Sequence, residues 1–286
     1  MITESEFQFY LEVKDHSVSG EVFKLMENRE YGFLETVPQP PQERWSEYYQ
    51  SEDYISHTGN RRNWFEHGYH LVKSVTLRSK LKCVRRWSGD GNHLLDVGCG
   101  TGDFLERAMI KGWSITGIEP HDHARALANQ KTNDAVHPPE WLATGNAKRF
   151  DVITLWHVLE HLPNLEKQLK LFKKLLKPQG TLMIAVPNYK SYDAAYYKNF
   201  WAAYDVPRHL WHFNKASISK LVERHDMKVV AMKPMWFDAF YVSLLSEKYK
   251  CGQMNLVRAI WIGCLSNLNY FKTKEASSFI YIIKNK

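Results

Sequence analysis

LLDVGCGTGDFLE, residues 94–106, decides the fold. A short apolar run runs into glycines at 98, 100 and 102 and then into a stretch of helical character. A strand that enters a helix through a glycine turn is the setting of a nucleotide site. Glycine permits the tight turn and lets a ligand approach the main chain, and the helix start offers unpaired N–H groups. A dinucleotide pattern G-x-G-x-x-G would place its third glycine at position 103, where this chain has Asp103. Asp96 and Asp103 put negative charge beside the turn, which disfavours a diphosphate and favours a ligand with a cationic end.

The neighbouring sequence extends this unit. The apolar runs HLLDVG, WSITGIE, FDVITLW and TLMIAVPN are separated by helix-length segments at Asp103–Lys111, His121–Lys131 and Asn164–Lys177. Alternation of this kind predicts an α/β fold around a parallel sheet buried on both faces. Glu119, at the end of the second run, follows Gly102 at close to the offset of roughly 20 residues at which an acid meets ribose hydroxyls. Upstream, residues 61–87 have helical spacing, and the proline cluster VPQPPQ at Val37–Gln42 reads as a linker. The expected division is an accessory segment over 1–60 and a main domain over 61–286. The aromatic stretch Tyr189–Phe213 is too long for an ordinary connection and reads as a lid. A helix at Lys215–His225 and strands at MKVVAMK and SSFIYIIKN complete the pattern.

Composition bounds the rest. The 286 residues carry a formal charge of +7 and are 44% hydrophobic, enough for a full core. The basic residues are scattered, as on a solvated basic surface, although the charge also suits an anionic partner. Four cysteines without a C-x-x-C pair, and a start (MITESEFQFY) unlike a secretion signal, lead to the expectation of a reducing cytoplasm. The longest apolar stretch, Met254–Leu268, is interrupted by Arg258 and is shorter than the roughly 20 residues a membrane span needs.

Four ordered motifs carry a resemblance: D-V-G-C-G-T-G at Asp96–Gly102, G-I-E-P at Gly117–Pro120, F-D-V-I-T-L-W-H-V-L-E-H at Phe150–His161 and L-K-P-Q-G-T-L at Leu176–Leu182. Over about Leu94–Pro187 the chain resembles class I S-adenosylmethionine-dependent methyltransferases. It is most similar to the bacterial branch that shares H-V-L-E-H with the ubiquinone-biosynthesis type. The resemblance implies a Rossmann-like, doubly wound, mostly parallel sheet of seven strands, with an N-terminal extension and a lid inserted after the fifth strand. It implies S-adenosylmethionine as cofactor and S-adenosylhomocysteine as product. Asp96, Gly98, Cys99, Gly100, Thr101 and Gly102 would then cradle the cofactor, with Asp96 toward its ammonium group. Glu119 and Pro120 would meet the ribose, and Trp156 and His157 would face the crevice at a strand end. Relatives of this kind often begin with a paired-cysteine module, but Leu25–Phe33 has no cysteine, so no N-terminal zinc site is expected. The usual acid for the adenine amine is also missing, apart from Glu140; Trp141 and Trp156 are the candidate stacking walls.

His157, Glu160 and His161 follow the H-x-x-E-H order of inverted zinc peptidases. Pro163 leaves room for scarcely one helical turn, so no metal is assigned; Glu160 and His161 are expected to form a polar pair. A base for the acceptor is sought in YDVPRHLWHF. His209 is the first choice, with Tyr204, Asp205 and His212 nearby and Arg208 as a clamp for an anionic substrate group. The alternative is that Arg208 and His209 pin the loop to the sheet. The lid aromatics, including Tyr197, Trp201 and Phe213, either wall a substrate pocket or pack the lid.

The expected function is methyl transfer to a small-molecule or glycoconjugate acceptor, at oxygen. An RNA methyltransferase is the alternative, prompted by the charge and by Arg61, Arg62, Lys80, Lys82, Arg85 and Arg86, though no nucleic-acid module is recognisable. A cofactor-binding, non-catalytic partner protein is another. Phe237–Leu245 and Met254–Leu268 are apolar enough to shield a lipid-linked substrate, contact a membrane peripherally or pair two copies in a homodimer, or else to lie in the core.

Overall fold

A computed structural model describes residues 7–48, 64–143 and 149–286. Arg61, Arg62 and the segment 144–148 before the third apolar run lie outside the described residues.

The apolar runs form the middle of a seven-stranded sheet. β1 (Phe7–Lys14), β2 (Val22–Asn28) and β3 (Leu34–Val37) precede it; β4 (His93–Val97), β5 (Ser114–Ile118), β7 (Phe150–Trp156) and β8 (Leu176–Pro187) are the predicted α/β strands, and the two-residue strand β6 (Val136–His137), which no apolar run announces, lies between β5 and β7 in the chain. β9 (Trp211–His212), β10 (Met227–Pro234) and β11 (Ser278–Asn285) follow. The order is β10-β11-β8-β7-β4-β5-β6, with β8 to β6 parallel and β11 antiparallel to both its neighbours. The chain leaves β4 toward β5 and returns to β7 on the other side of β4. The crevice beyond the ends of β4 and β7 is therefore a switch point, where open α/β sheets bind ligands.

Period-two alternation puts successive residues on opposite faces. Leu95, Val97, Ile153, Leu155, Leu182 and Ile184 pack with the helix Leu165–Leu175 and the helix Lys215–Glu223. Leu94, Val152, Met183 and Ala185 pack on the other face against Val84 of the helix Trp64–Trp87 and Phe104 and Leu105 of the helix Asp103–Ile110. This is why the runs read as unbroken hydrophobicity rather than as alternation.

Two regions depart from expectation. Residues before Pro38 form a β-hairpin and a third strand, and β9 from the lid pairs antiparallel with β3, Leu34 opposite His212, to complete a four-stranded sheet. The accessory segment and the lid thus share one core of Val13, Phe23, Leu25, Leu34, Tyr197, Trp201 and Tyr204. The lid's aromatics are mostly that core, so Tyr189–Phe213 is a packed cover. Its anchor is Asp193, fully buried, which accepts from Trp201 Nε1 at 2.8 Å and from Ser266 and Ser277 Oγ at 2.7 Å each.

Between β10 and β11 the chain forms two antiparallel helices, Asp238–Cys251 and Leu256–Thr273. The second buries Ala259, Ile262, Gly263 and Ser266 and leaves Val257, Trp261 and Phe271 exposed. Among the described residues no helix is long and apolar enough to cross a membrane, and all four cysteines are free thiols.

Candidate active site

The glycine turn closes β4 as its residues require. Gly98, Gly100 and Gly102 all have positive φ. Gly98 and Cys99 donate their main-chain N–H groups to Ile118 O at the end of β5, at 2.8 and 3.1 Å. Glu119 then ties the two strand ends together, accepting from Gly100 N at 2.8 Å and from His121 N at 3.0 Å. A carboxylate has about four acceptor positions, so ribose hydroxyls can still donate to it. A Cβ built on Gly100 meets nothing within 4 Å, so the turn leaves open space at that point.

Asp96, the next acid, is 2% exposed, and its Oδ1 accepts from Thr154 Oγ1 on β7 at 2.6 Å. Burial pushes its pKa up to about 7, with Glu119 adding to the rise and Thr154 and Lys80 opposing it. Asp103 is held down at about 2 because Lys73 and Lys131 approach it at 2.7 and 2.8 Å. The negative charge beside the turn is thus partly cancelled, and the preference for a cationic ligand rests on Asp96 and Glu119. Thr101 donates to Asp103, and the exposed Pro120 offers its carbonyl to Arg125.

Trp156 ends β7, edge-on to Phe104 at 5.6 Å, and its buried indole Nε1 has no hydrogen-bond partner. Lys80 lies over the same ring at 4.6 Å. Its side chain is turned inward, and burial lowers its pKa against the pull of Asp96 and Asp238. The sequence reading placed Lys80 on a basic surface with Lys82, Arg85 and Arg86, and only those three are exposed. Helical spacing held the correct signal: Leu77, Lys80, Leu81 and Val84 share one face. Trp141 stacks on His137 at 4.6 Å, by β6 rather than by Trp156.

His157 has φ +58 and a ring set between carboxylates, Nδ1 at 3.3 Å from Glu160 and Nε2 at 3.0 Å from Asp238. Those acids raise its pKa to about 10 despite burial, so it is an imidazolium. The expected pairing of Glu160 with His161 is replaced by this one, because the 3₁₀ turn Leu159–His161 aims Glu160 back toward the strand end. His161 instead donates Nδ1–H to the Arg208 carbonyl at 3.0 Å, and burial together with His209 holds its pKa down at about 4.

The cover delivers its candidates to the same corner. Leu210 N donates to Glu160 O at 2.8 Å and Trp211 Nε1 to Leu162 O at 2.9 Å. His209, 8% exposed, donates Nδ1–H to Ala203 O at 2.9 Å, and its ring stands edge-on to His161 at 4.5 Å. Arg208 is fully engaged by Asp205 at 2.7 and 3.0 Å, Asp15 at 3.3 Å, the Tyr48 carbonyl at 2.8 Å and Ser17. Its guanidinium spans the cover and the N-terminal sheet. Tyr204 is buried against Trp201 and His212, and burial pushes its pKa well above the ordinary value. His212 meets Thr36 Oγ1 at 3.0 Å, and that hydroxyl donates to His209 O at 2.7 Å. The candidates read from the turn after β7 and from the cover thus meet at one corner, and beside them stand Asp238, Thr154 and Lys80, which the sequence did not mark as site residues because their partners are distant in the chain.

A family model described as a methyltransferase domain matches residues 70–232. Ubiquinone biosynthesis O-methyltransferase from Coxiella burnetii (strain RSA 493 / Nine Mile phase I) is 34% identical over 131 residues, 43% of this chain and 55% of that protein. The same-named protein of Bordetella avium (strain 197N) is 29% identical over 118 residues, 38% and 49% of the two chains. The chain spans about half the length of the curated relatives it matches. Among solved structures, magnesium protoporphyrin IX methyltransferase from Synechocystis PCC 6803 with bound SAH has TM-score 0.52 and 14% identity, covering 85% of this chain and 94% of that one. Mycolic acid cyclopropane synthase complexed with SAH and CTAB has TM-score 0.50 and 14% identity, covering 72% and 83%. At those identities the likeness is one of fold.

Proposed function

The chain belongs to the methyltransferase-domain family, and from that premise we propose that it transfers a methyl group from S-adenosylmethionine to a hydroxyl of a small-molecule acceptor. The observation that carries this is the strand-end turn. Gly100 opens toward space, and Glu119 and the buried Asp96 supply acceptors for a sugar and an ammonium. The orphaned Trp156 Nε1 supplies a further donor facing no protein partner.

Bound there, S-adenosylmethionine supplies a methyl carbon already activated by its sulfonium. The protein's part is to hold donor and acceptor in line and to exclude water, which the packed cover and its aromatic core favour. A hydroxyl acceptor must also lose its proton. Glu160, His161 and His209, gathered where the cover meets the end of β7, are the groups we assign to that proton, with His209 the member contributed by the cover.

Calorimetric titration with S-adenosylmethionine, S-adenosylhomocysteine and NAD+ tests the first half. The two sulfur nucleosides should bind and NAD+ should not; preference for NAD+ would sink the reading. Release of S-adenosylhomocysteine with cell extracts then separates an enzyme from a non-catalytic binder, and salt-sensitive RNA retention on filters would turn the acceptor toward RNA. His209→Ala should lower turnover by about 100-fold or more while leaving cofactor affinity unchanged.

A second reading concerns how the acceptor arrives. Val257, Trp261 and Phe271 are 81%, 63% and 65% exposed along one helix, which supports an acceptor carrying an apolar tail at a lipid surface. Co-sedimentation with anionic phospholipid vesicles should fall in Trp261→Asp. Sedimentation velocity showing a dimer that Trp261→Asp dissociates would overturn this in favour of self-association.

A further inference from the structure

Arg149, just before β7, and the second half of the helix Leu165–Leu175 border a cleft of about 490 Å³. Arg149 precedes the strand and Trp156 ends it, so a strand length of about 20 Å separates this cleft from the crevice by the glycine turn. Its walls are basic. Lys170, Lys173 and Lys174 come from the helix, and Arg224 follows the helix Lys215–Glu223, against one acidic side chain, Asp226. Existing partners account for only part of this charge. Lys173 pairs with Asp226 at 3.0 Å, Arg224 is taken by Glu30 and the Tyr31 hydroxyl, and His225 turns to Glu166 at 3.1 Å. Arg149, Lys170 and Lys174 have no acidic partner among the described residues, and the two lysines stand one helical turn apart, where like charges repel. Cations in a last helical turn answer the helix dipole, which explains Lys173 and Lys174 but neither Lys170 nor Arg149.

A second observation comes from another element. Asn285, at the end of β11, has a buried Oδ1 that accepts from no donor, and its Nδ2 reaches Pro178 O only at 3.4 Å. Both residues line the cleft. Buried polar atoms are almost always satisfied, so this acceptor marks a place where a hydroxyl or amine of a ligand can donate.

We propose that this cleft binds a small phosphorylated molecule of the nucleoside diphosphate type, with its phosphates on Arg149, Lys170 and Lys174 and a hydroxyl or amine on Asn285. The volume suits such a ligand, since small-molecule pockets span about 300–1,000 Å³. The planar guanidinium of Arg149 can engage two phosphate oxygens at once, and the lysines act as point charges beside it. Asp96, Glu119 and the glycine turn take no part in the lining, so the site is separate from the crevice and does not depend on the methyltransferase reading.

The test is calorimetric titration of the full chain with uridine diphosphate, whose base is not adenine, at near-physiological salt so that exposed charges are screened. One molecule per chain is expected, with inorganic diphosphate binding more weakly because it offers nothing to Asn285. The double variant Lys170→Gln/Lys174→Gln should weaken binding by at least about 10-fold, and Arg149→Gln, from a different wall, should do the same. Asn285→Ala should weaken uridine diphosphate and leave inorganic diphosphate unchanged. Lys82→Gln, on another exposed face, and Gly100→Val, at the glycine turn, should both bind the probe as the parent does. Circular dichroism checks that each variant is folded. No binding by the folded parent, full binding by both folded wall variants, or an equal loss in Lys82→Gln overturns the site. Loss of the probe in Gly100→Val would place it in the crevice and overturn the site as well. RNA retained through Lys170 and Lys174 while uridine diphosphate fails to bind would assign the cleft to a polymer backbone and overturn the small ligand. Failure to bind S-adenosylmethionine removes the proposed function and leaves this titration valid.

Discussion

Gly98 and Gly100 are indistinguishable in the motif, yet their surroundings differ. A Cβ on Gly98 would stand 2.5 Å from Val158, and one on Gly102 2.9 Å from Ala128, whereas one on Gly100 meets only open space. Gly100→Val should therefore leave a folded protein, weakened by about 1–3 kcal/mol for a side chain at positive φ, that no longer binds the cofactor. A calorimetric titration beside a denaturant melt reads both effects, and normal binding would remove the turn from the site. Glu119→Ala should also abolish binding, since it removes the acceptor proposed for the ribose and leaves the Gly100 and His121 N–H groups unpaired. Asp96 adds a pH dependence. Its pKa is raised to about 7, so below that pH it is protonated and cannot meet an ammonium group. Cofactor affinity should rise from pH 6 to pH 8, with protons released to buffer on binding at pH 6, and Asp96→Asn should flatten the profile.

The turn after β7 stores charge in a short piece of chain. His157 lies between Glu160 and Asp238, with its pKa raised to about 10. A histidine raised on folding contributes its full stabilisation below its unfolded pKa of about 6.5 and loses it as pH climbs toward 10. Thermal melting should therefore fall over that window, and Asp238→Asn should lower the melting point near neutrality while flattening the alkaline decline. A parent melting curve level from pH 6.5 to 10 would contradict the imidazolium. In the cover, Arg208 is nearly buried and joins Asp205, Asp15 and the Tyr48 carbonyl. Arg208→Ala strands Asp15 and Asp205 and should cost about 3–5 kcal/mol in denaturant unfolding. If the loss falls on turnover with stability intact, Arg208 clamps substrate instead.

The N-terminal strands and the cover fold as one body, because β9 lends its edge to β3 and both sides fill one core. A chain reduced to residues 61–286 should expose Tyr197, Trp201 and Tyr204 and lose cooperative unfolding; a soluble, sharply melting 61–286 would support the division after residue 60. VPQPPQ, read as a linker, is a break in local structure and not in packing, since the strands before it share a core with the cover. The N-terminal strands were hidden because apolar residues lie on both of their faces, which blurs the alternation: in β2 exposed Val22 and Lys24 alternate with buried Phe23 and Leu25, and Phe9 of β1 is exposed.

What the residues alone determined is local: four apolar strands, the helices between them, a glycine turn whose conformation few other residues adopt, and an acid one strand later. Each is settled within some twenty residues by periodicity, backbone freedom and turn chemistry, and together they imply the α/β sheet and its ligand crevice. What only the tertiary structure decided is pairing. Whether His157 meets Asp238, whether Lys80 faces solvent or Trp156, and whether Tyr189–Phe213 is a flap or a wall depend on groups many dozens of positions away. Burial and charge act through space, and a chain's local pattern carries no record of which distant side chain will arrive.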